Sequence, residues 1–417
     1  MTPPATTHPS SRQLGPRQIL SWGLLAFLPL TAAAHGLHWG ESWECLLAAV
    51  AILPLAIWLS TATEELALVL GPSIGALLNA VFGNATELII ALAALRAGLV
   101  DIVKASITGT LMANLLLALG LSMLVGGIGR QEQSFQPVLA RVNGSAMTLA
   151  VLAILLPSLS ALSPGGEAGR EAFSTFVAWV LLVVYGLTLL FSLRTHRSLY
   201  DVASVALDPA TTEDFPGASP LLTQGEVQRH GDGHWHGDEL TPVSWWQRPG
   251  LLRWLVVLLL ATVALAWASE QFVDTLEPVT ASLGLPPVFT GVVLLPLLGG
   301  AAEYLTGITM ARRNKMDLAV SVALGSTLLV ALFVVPVLVL TGPLLGHPLD
   351  LGFGLYELVA IATAVVVSNL VSLDGRSDWL EGVLLLAAYV ILAAGFYYQS
   401  GASPVDASGV LAIGGAG

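Results

Sequence analysis

Residues 83–89 read Gly-Asn-Ala-Thr-Glu-Leu-Ile, and residues 299–304 read Gly-Gly-Ala-Ala-Glu-Tyr. Each stretch lies inside a long apolar run and contains one glutamate, Glu87 in the first and Glu303 in the second. An ionised carboxylate in the hydrocarbon of a bilayer costs between about 3 and more than 10 kcal/mol. Two such carboxylates at matching places indicate a pathway for a cation or for protons.

The composition is that of a membrane protein. Of the 417 residues, 55% are hydrophobic and only 11% are charged, whereas a soluble domain carries about 25% charged residues. The net charge of −12 falls partly in one central loop, so it gives no indication of nucleic-acid binding. The single cysteine, Cys45, excludes an intrachain disulfide.

Eleven apolar runs are long enough to cross a bilayer, for which a helix needs about 20 residues. They lie at 19–35, 44–60, 72–94, 102–127, 143–163, 171–193, 251–269, 287–310, 317–342, 351–371 and 378–398. The first run follows Arg12 and Arg17 and also has the pattern of a signal peptide. We favour a retained helix; if it were cleaved, ten spans would remain.

The charges of the loops orient the chain. With the N-terminus in the cytoplasm, the inner loops carry twelve Lys and Arg residues and the outer loops carry two. Cytoplasmic loops are enriched in Lys and Arg. We therefore expect a cytoplasmic N-terminus and, with eleven spans, a C-terminus outside.

One constant offset relates the two halves, because the shift that places Glu87 on Glu303 also places Asp101 on Asp317 and Gly109 on Gly325. Matching helices are five spans apart, an odd number, so the halves point in opposite directions, as in many transporters. The predicted fold is an all-α polytopic membrane protein with an N-terminal helix and two inverted five-helix repeats. The predicted domains are the N-terminal tail and first helix (1–43), the first repeat (44–193), an acidic cytoplasmic linker (194–249), the second repeat (250–398) and a C-terminal tail (399–417).

The end of the linker, at positions 230–239, contains three histidines and three acidic side chains. These side chains are metal ligands. A solvated, flexible linker is the interpretation that we prefer.

Small residues and hard oxygen ligands surround the two glutamates. Small residues let helices cross closely, and glycine tolerates local unwinding that frees carbonyl oxygens. The supporting residues are Gly83, Asn84, Thr86, Ser106, Thr110 and Asn114 in the first half and Gly299, Gly300 and Ser326 in the second. Calcium accepts about six to eight such oxygens. We expect no resident cofactor, because the cation and the protons are substrates.

Three further acids, Glu65, Glu270 and Glu357, lie near the ends of predicted spans. They are candidates for a proton path, and interfacial placement at helix ends is the alternative. Lys104 and Asp101 are three positions apart, and we expect them to pair.

At these residues the chain resembles the calcium/proton exchanger family, within the calcium/cation antiporter superfamily. The resemblance extends from about Thr61 to Tyr398, and residues 83–89 match the first signature of that family without a change. It implies that Glu87 and Glu303 form one site for the cation and for protons.

The second signature departs from the usual Gly-Asn-Ala-Ala-Glu-His. Gly300 replaces the asparagine, Tyr304 replaces the histidine, and Leu329 stands where the family often has glutamine. The second half is therefore where we expect any unusual selectivity to arise.

The expected function is a secondary antiporter that moves Ca2+ out of the cytoplasm in exchange for protons by alternating access. The alternatives are a broader antiporter of Na+, K+ or Mn2+ against protons, and a cation channel. The chain has no His-Glu-x-x-His motif and no P-loop, so we do not expect an enzyme. The expected location is the bilayer of a bacterial inner membrane.

Overall fold

A computed structural model describes residues 23–70, 72–160, 167–195 and 250–400. The two chain ends, at 1–22 and 401–417, lie outside these ranges, as does nearly all of the acidic linker with its histidine-rich end. The predictions for a metal-binding linker and for the two termini therefore concern residues outside the described part. The apolar run at 19–35 is described from residue 23 onward and is largely helical, and the choice between a retained helix and a signal peptide stays a prediction.

Helices dominate the described ranges. The first half contains α1 (Phe27–Gly36), α2 (Glu41–Leu70), α3 (Pro72–Phe82), α4 (Ala85–Arg96), α5 (Val100–Gly127), α6 (Pro137–Ser160) and α7 (Glu167–Leu190). The second half contains α8 (Leu251–Ser282), α9 (Pro287–Gly299), α10 (Ala301–Arg312), α11 (Met316–Leu345), α12 (Leu355–Val371) and α13 (Trp379–Ser400). Among the described helices, seven are long and apolar enough to cross a membrane, or eight if the bent pair α9–α10 counts as one span. The protein is a membrane protein whose described part is nearly all helical, and the count of eleven spans stays a prediction.

The first helix of each half is longer than its apolar run predicts. Helix α2 continues to Leu70 and α8 continues to Ser282, whereas the runs end near positions 60 and 269. The glutamates near those ends lower the local hydropathy, but helical hydrogen bonds are local and continue through charged residues. Helix α8 ends where Gly284 takes a positive φ of 66°, a conformation that glycine adopts without strain.

The offset between the halves also appears in the irregular parts of the helices. Helices α4 and α10 begin at Ala85 and Ala301, each directly after a break, and α9 and α10 meet at an angle of 60°. A π-helical segment interrupts α5 at Ala113–Ala118 and α11 at Val330–Val334. Since π-helical segments are uncommon and frequent at functional sites, their matching positions support the repeat.

The two halves pack differently around α5 and α11. A Cβ atom added at Gly109 of α5 would collide with the carbonyl group of Val292 in α9, and one added at Gly291 would lie 2.6 Å from the Cβ of Ala105. At Gly325, the matching position of α11, an added Cβ would meet no atom of the described residues within 4 Å. Consistent with this, 83% of the apolar window of α5 is buried, against 56% for α11. The α5–α9 crossing is tight, and the corresponding side of α11 is open.

Two loops meet in a short antiparallel ladder between β1 (Gln133–Ser134) and β2 (Arg376–Ser377). The amide nitrogen of Phe135 also donates to the carbonyl of Gly375 at 2.8 Å. The ladder joins the loop before α6 to the loop before α13.

Candidate functional site

Both glutamates stand in the first turn of a helix that follows a break. Glu87 is the third residue of α4, and Glu303 is the third residue of α10. A helix N-terminus carries a partial positive charge that favours an anionic side chain. The breaks therefore place each carboxylate where its charge is partly compensated inside an apolar protein.

Three of the four carboxylate oxygens are buried without a hydrogen-bond partner within the described residues. Both side-chain oxygens of Glu87 and one of Glu303 are buried and accept no hydrogen bond there. The two carboxylates also lie within electrostatic range of each other. A buried polar atom without a partner costs about 1–3 kcal/mol, and more when it is charged. A proton or a cation at this place would remove that cost.

The carboxylate of the first half reaches the break of the second half. A Cβ atom added at Gly299 would lie 3.0 Å from Cγ and 3.6 Å from Cδ of Glu87. Glycine at position 299 thus allows a close approach that any other residue would obstruct. The two breaks, which belong to opposite halves of the chain, therefore lie against each other.

Amides and a hydroxyl join the first break to α11. Ser326 Oγ accepts hydrogen bonds from Nδ2 of Asn84 at 2.6 Å and from Nδ2 of Asn114 at 3.0 Å. Asn114 lies in the π-helical segment of α5, and its Oδ1 is buried without a partner among the described residues. The predicted residues Asn84, Asn114 and Ser326 therefore come together, and an unpaired amide oxygen lies among them.

The remaining supporting residues have other contacts. The hydroxyls of Ser106 and Thr110 donate to the carbonyls of Val103 and Ser106 in their own helix. Thr86 is buried beside Glu87 in the first turn of α4.

The first break also contacts α11 through Gly83. A Cβ added at Gly83 would lie 3.4 Å from Cδ1 of Leu329. Leu329 thus packs beside the break at the place where the sequence comparison expected a polar side chain.

Contacts of the second break were not foreseen from the sequence. Tyr304 Oη donates a hydrogen bond of 2.9 Å to the carbonyl of Pro296, and its ring lies over Gly300. Residues four positions apart share a helix face. The spacing of Gly300 and Tyr304 is therefore the only sign in the sequence that the tyrosine ring lies over the glycine.

The proton-path candidates lie in two kinds of place. Glu270 forms an ion pair of 2.7 Å with Arg96; the Arg96 side chain is largely exposed, and that of Glu270 is half-buried. Glu357 accepts a hydrogen bond of 2.7 Å from the amide nitrogen of Gly354 and so caps the start of α12. Glu65 is half-buried in the last part of α2. For Glu270 and Glu357 these contacts agree with the interfacial alternative, and a proton path stays a prediction.

The expected pair of Lys104 and Asp101 does not describe the contacts of Lys104. Its Nζ contacts Oδ1 of Asp350 and donates to the carbonyl of Gly352 at 2.9 Å. Arg170 Nε is 2.6 Å from the other oxygen of Asp350. The loop that joins α11 to α12 is far from Lys104 in the sequence, but the fold brings the two together. Lys104 therefore contacts Asp350 and Gly352 of this loop.

The donors at the breaks are hard oxygens. In the described part of the chain, no group of three or more His, Cys, Asp and Glu residues could hold a metal ion. A cation at the breaks would therefore have two carboxylates together with amide, hydroxyl or carbonyl oxygens. Calcium accepts such mixed oxygen ligands in a flexible geometry.

Comparison with known proteins agrees with this chemistry. The family described as "Sodium/calcium exchanger protein" matches residues 43–194 and 253–398. The Ca2+/H+ antiporter of Aphanothece halophytica is 47% identical over 385 residues, which cover 92% of this chain and 97% of that protein. The Ca2+/H+ antiporter of a Synechocystis strain is 46% identical over 378 residues, covering 90% and 96%.

Solved structures show the same fold. The structure of native YfkE superimposes with a TM-score of 0.72 at 33% identity and covers 91% of this chain and 99% of that one. A structure described as the H+/Ca2+ exchanger CAX superimposes with a TM-score of 0.64 over 93% of this chain and 94% of that one, at 15% identity. The second likeness concerns the fold alone.

Proposed function

The chain belongs to the sodium/calcium exchanger protein family, and from this premise we propose that it exchanges cytoplasmic Ca2+ for protons across the membrane. Glu87 and Glu303 form the shared site for the cation and for protons. The relatives described as Ca2+/H+ antiporters match nine-tenths of the chain, which supports the choice of substrates.

The observation that carries the proposal is the set of three buried carboxylate oxygens, two of Glu87 and one of Glu303, that have no partner among the described residues. Either one Ca2+ or protons neutralise the two carboxylates. Ca2+ and protons exclude each other because they bind the same oxygens. A site that is stable only when loaded couples the two fluxes. The amide oxygen of Asn114 and the first-turn position of both glutamates supply a further hard ligand and partial positive charge.

Alternating access is supported by the unequal packing of the halves. Helix α9 covers α5 at Gly109, whereas Gly325 of α11 has open space at the matching position. With the N-terminus in the cytoplasm, α3 lies on the cytoplasmic side of the break and α9 on the outer side. The packing then corresponds to a state that is closed outside and open toward the cytoplasm, and exchange of the two packings opens the other side.

Proteoliposomes with an imposed pH gradient test the proposal. We expect Ca2+-dependent proton flux in the unchanged protein and its loss in Glu87→Gln and in Glu303→Gln, because an amide cannot exchange a proton for a cation. Glu132→Gln is the control, since Glu132 pairs with Arg376 at an exposed surface and should retain the flux. Retained flux in both site variants would contradict the proposed site.

A broader cation/proton antiporter is the second candidate, favoured by the absence of an amide at Gly300. Competition of Na+, K+ and Mn2+ with Ca2+ in the same vesicles separates the two candidates. A current that is independent of the pH gradient would instead indicate a channel.

A further inference from the structure

The two helix breaks are held in different ways. In the first half, the amide of Asn84 reaches Ser326 of α11 in the other half at 2.6 Å. In the second half, position 300 has no side chain, and Tyr304 Oη donates to the carbonyl of Pro296 in the same half at 2.9 Å. The first break is therefore hydrogen-bonded to the opposite half, and the second is hydrogen-bonded within its own half.

Tyr304 and a side chain at position 300 exclude each other. A Cβ atom added at Gly300 would lie 2.5 Å from Oη and 2.6 Å from Cζ of Tyr304. Both distances are far shorter than a carbon atom tolerates, and Tyr304 is itself buried. Glycine at position 300 is thus a condition for the observed place of the tyrosine ring.

The hydroxyl of Tyr304 also donates a hydrogen bond to a backbone carbonyl next to the break. Pro296 lies in the last turn of α9, directly before the break. Its carbonyl oxygen accepts one hydrogen bond from the amide of Gly300 at 2.9 Å and a second from Tyr304 Oη at 2.9 Å. A carbonyl has two lone pairs, so neither remains for a cation.

This occupied carbonyl belongs to the helix end that meets the carboxylates. Gly299, the last residue of α9, lies against Glu87, and Tyr304 is within electrostatic range of both Glu87 and Glu303. A change at Tyr304 therefore acts directly on the surroundings of the carboxylate pair.

We propose that Tyr304 determines the cation selectivity of this site by withholding the Pro296 carbonyl and by excluding an amide at position 300. The inference rests on the function proposed above and names how the second half contributes to it. The second break then offers the cation the carboxylate of Glu303, but neither the Pro296 carbonyl nor an amide at position 300. Calcium gains from each added oxygen because it accepts about six to eight, whereas about six oxygens complete the octahedral geometry that suits Mn2+. A site with few oxygens discriminates weakly between Ca2+ and Mn2+.

The first test is Tyr304→Phe, which keeps the ring and removes the hydroxyl. We expect the freed carbonyl to raise the preference for Ca2+ over Mn2+ by about fivefold, the equivalent of one hydrogen-bond-strength contact. The full-length protein is titrated with each cation, with thermal stabilisation in detergent and the KM of transport in proteoliposomes as separate readouts. Tyr389→Phe is the matched control, because the hydroxyl of this buried tyrosine has no partner among the described residues. The preference of Tyr389→Phe for Ca2+ over Mn2+ should equal that of the unchanged protein.

The second test copies the first half of the chain into the second. At the offset that places Glu87 on Glu303, Asn84 corresponds to Gly300, Leu88 to Tyr304, and Thr110 to Ser326. We expect Gly300→Asn alone to weaken Ca2+ binding more than tenfold, because the amide collides with Tyr304. The double variant Gly300→Asn with Tyr304→Leu should recover binding and raise the Ca2+ preference, because the amide can then face Thr110.

The outcomes separate the inference from the proposed function. A protein that neither binds Ca2+ nor exchanges it for protons overturns both. If the unchanged protein exchanges Ca2+ but Tyr304→Phe has the same preference for Ca2+ over Mn2+, the inference alone is overturned. Equal Ca2+ binding by Gly300→Asn and by the double variant also overturns it. Loss of all cation binding in both Tyr304→Phe and the double variant counts against it as well, since the bond from Tyr304 to Pro296 would then be needed only for the fold.

Discussion

At the scale of residues, the site depends on which atoms are left without partners. Most buried polar groups in proteins are hydrogen-bonded, yet both side-chain oxygens of Glu87 and Oδ1 of Asn114 are not, within the described residues. These unpaired atoms indicate a site at which a cation and protons exchange, because a permanent hydrogen-bond partner would prevent the exchange. Gly299 is as important as the acids, because its missing side chain is what lets Glu87 reach the second break.

The change Gly299→Ala tests this close approach. The added Cβ would lie 3.0 Å from Cγ of Glu87, so the carboxylate must move or the helices must separate. We expect KM for Ca2+ to rise at least about tenfold, since displacements of about 1 Å at a site are that costly or more. Gly186→Ala is the control, because a Cβ there meets no atom within 4 Å. An unchanged KM in Gly299→Ala would contradict the contact.

At the scale of elements, a loop from the second half is fastened to three helices of the first. Ser158 Oγ of α6 donates to the carbonyl of Leu351 at 2.7 Å, and Ser174 Oγ of α7 accepts from the amide of Leu351 at 3.0 Å. Asp350 bridges Lys104 of α5 and Arg170 of α7. Burial raises the pKa of Asp350, but the hydrogen bond and charge of Lys104, with hydrogen bonds from Arg170 and the amide of Gly352, outweigh it and lower the pKa below its usual value.

Removing this charge should loosen the loop. In Asp350→Asn, Lys104 stays largely buried and loses the carboxylate that it contacts, so we expect a loss of about 3 kcal/mol in stability, measured as a lower melting temperature in detergent. A carboxyl with a lowered pKa stabilises the fold above its unfolded pKa near 4 and loses that effect as pH falls through the folded value. The difference between the two proteins should therefore persist from pH 8 to 5 and shrink below about pH 4.

Glu132→Gln is the control for this change. Its exposed pair with Arg376 should contribute no more than about 1 kcal/mol. An equal melting temperature for Asp350→Asn and the unchanged protein would show that the bridge does not hold the loop.

At the scale of the whole molecule, two similar halves adopt unequal packings. Ser106 and Val322 occupy matching positions of α5 and α11, yet Ser106 is buried and Val322 is half-exposed. Identical packing on both sides would close or open the site to both compartments at once. The inequality is what a carrier requires in order to admit its load from one side only.

Cysteine accessibility tests the open side. With Cys45→Ala as the background, Val322→Cys should react with a charged, membrane-impermeant thiol reagent at least about tenfold faster than Ser106→Cys. The faster reaction should occur when the reagent is on the cytoplasmic face of oriented vesicles. Equal labelling of both variants after denaturation is the control. Equal rates in the native protein, or faster reaction from the outer face, would contradict the assigned state.

The apolar runs, the glycine-rich breaks and the glutamate pair follow from the sequence alone, because hydropathy, backbone freedom and an internal repeat are properties of neighbouring residues or of one constant offset. Four features come only from the tertiary structure: the contact of Gly299 with Glu87, the bond from Tyr304 to Pro296, the bridge of Asp350 to Lys104 and Arg170, and the unequal packing at Gly109 and Gly325. Three of them join groups that are far apart in the chain, and the Tyr304 bond forms only because the break turns a carbonyl toward the ring. Such contacts depend on distances and angles between folded helices, which no local pattern specifies.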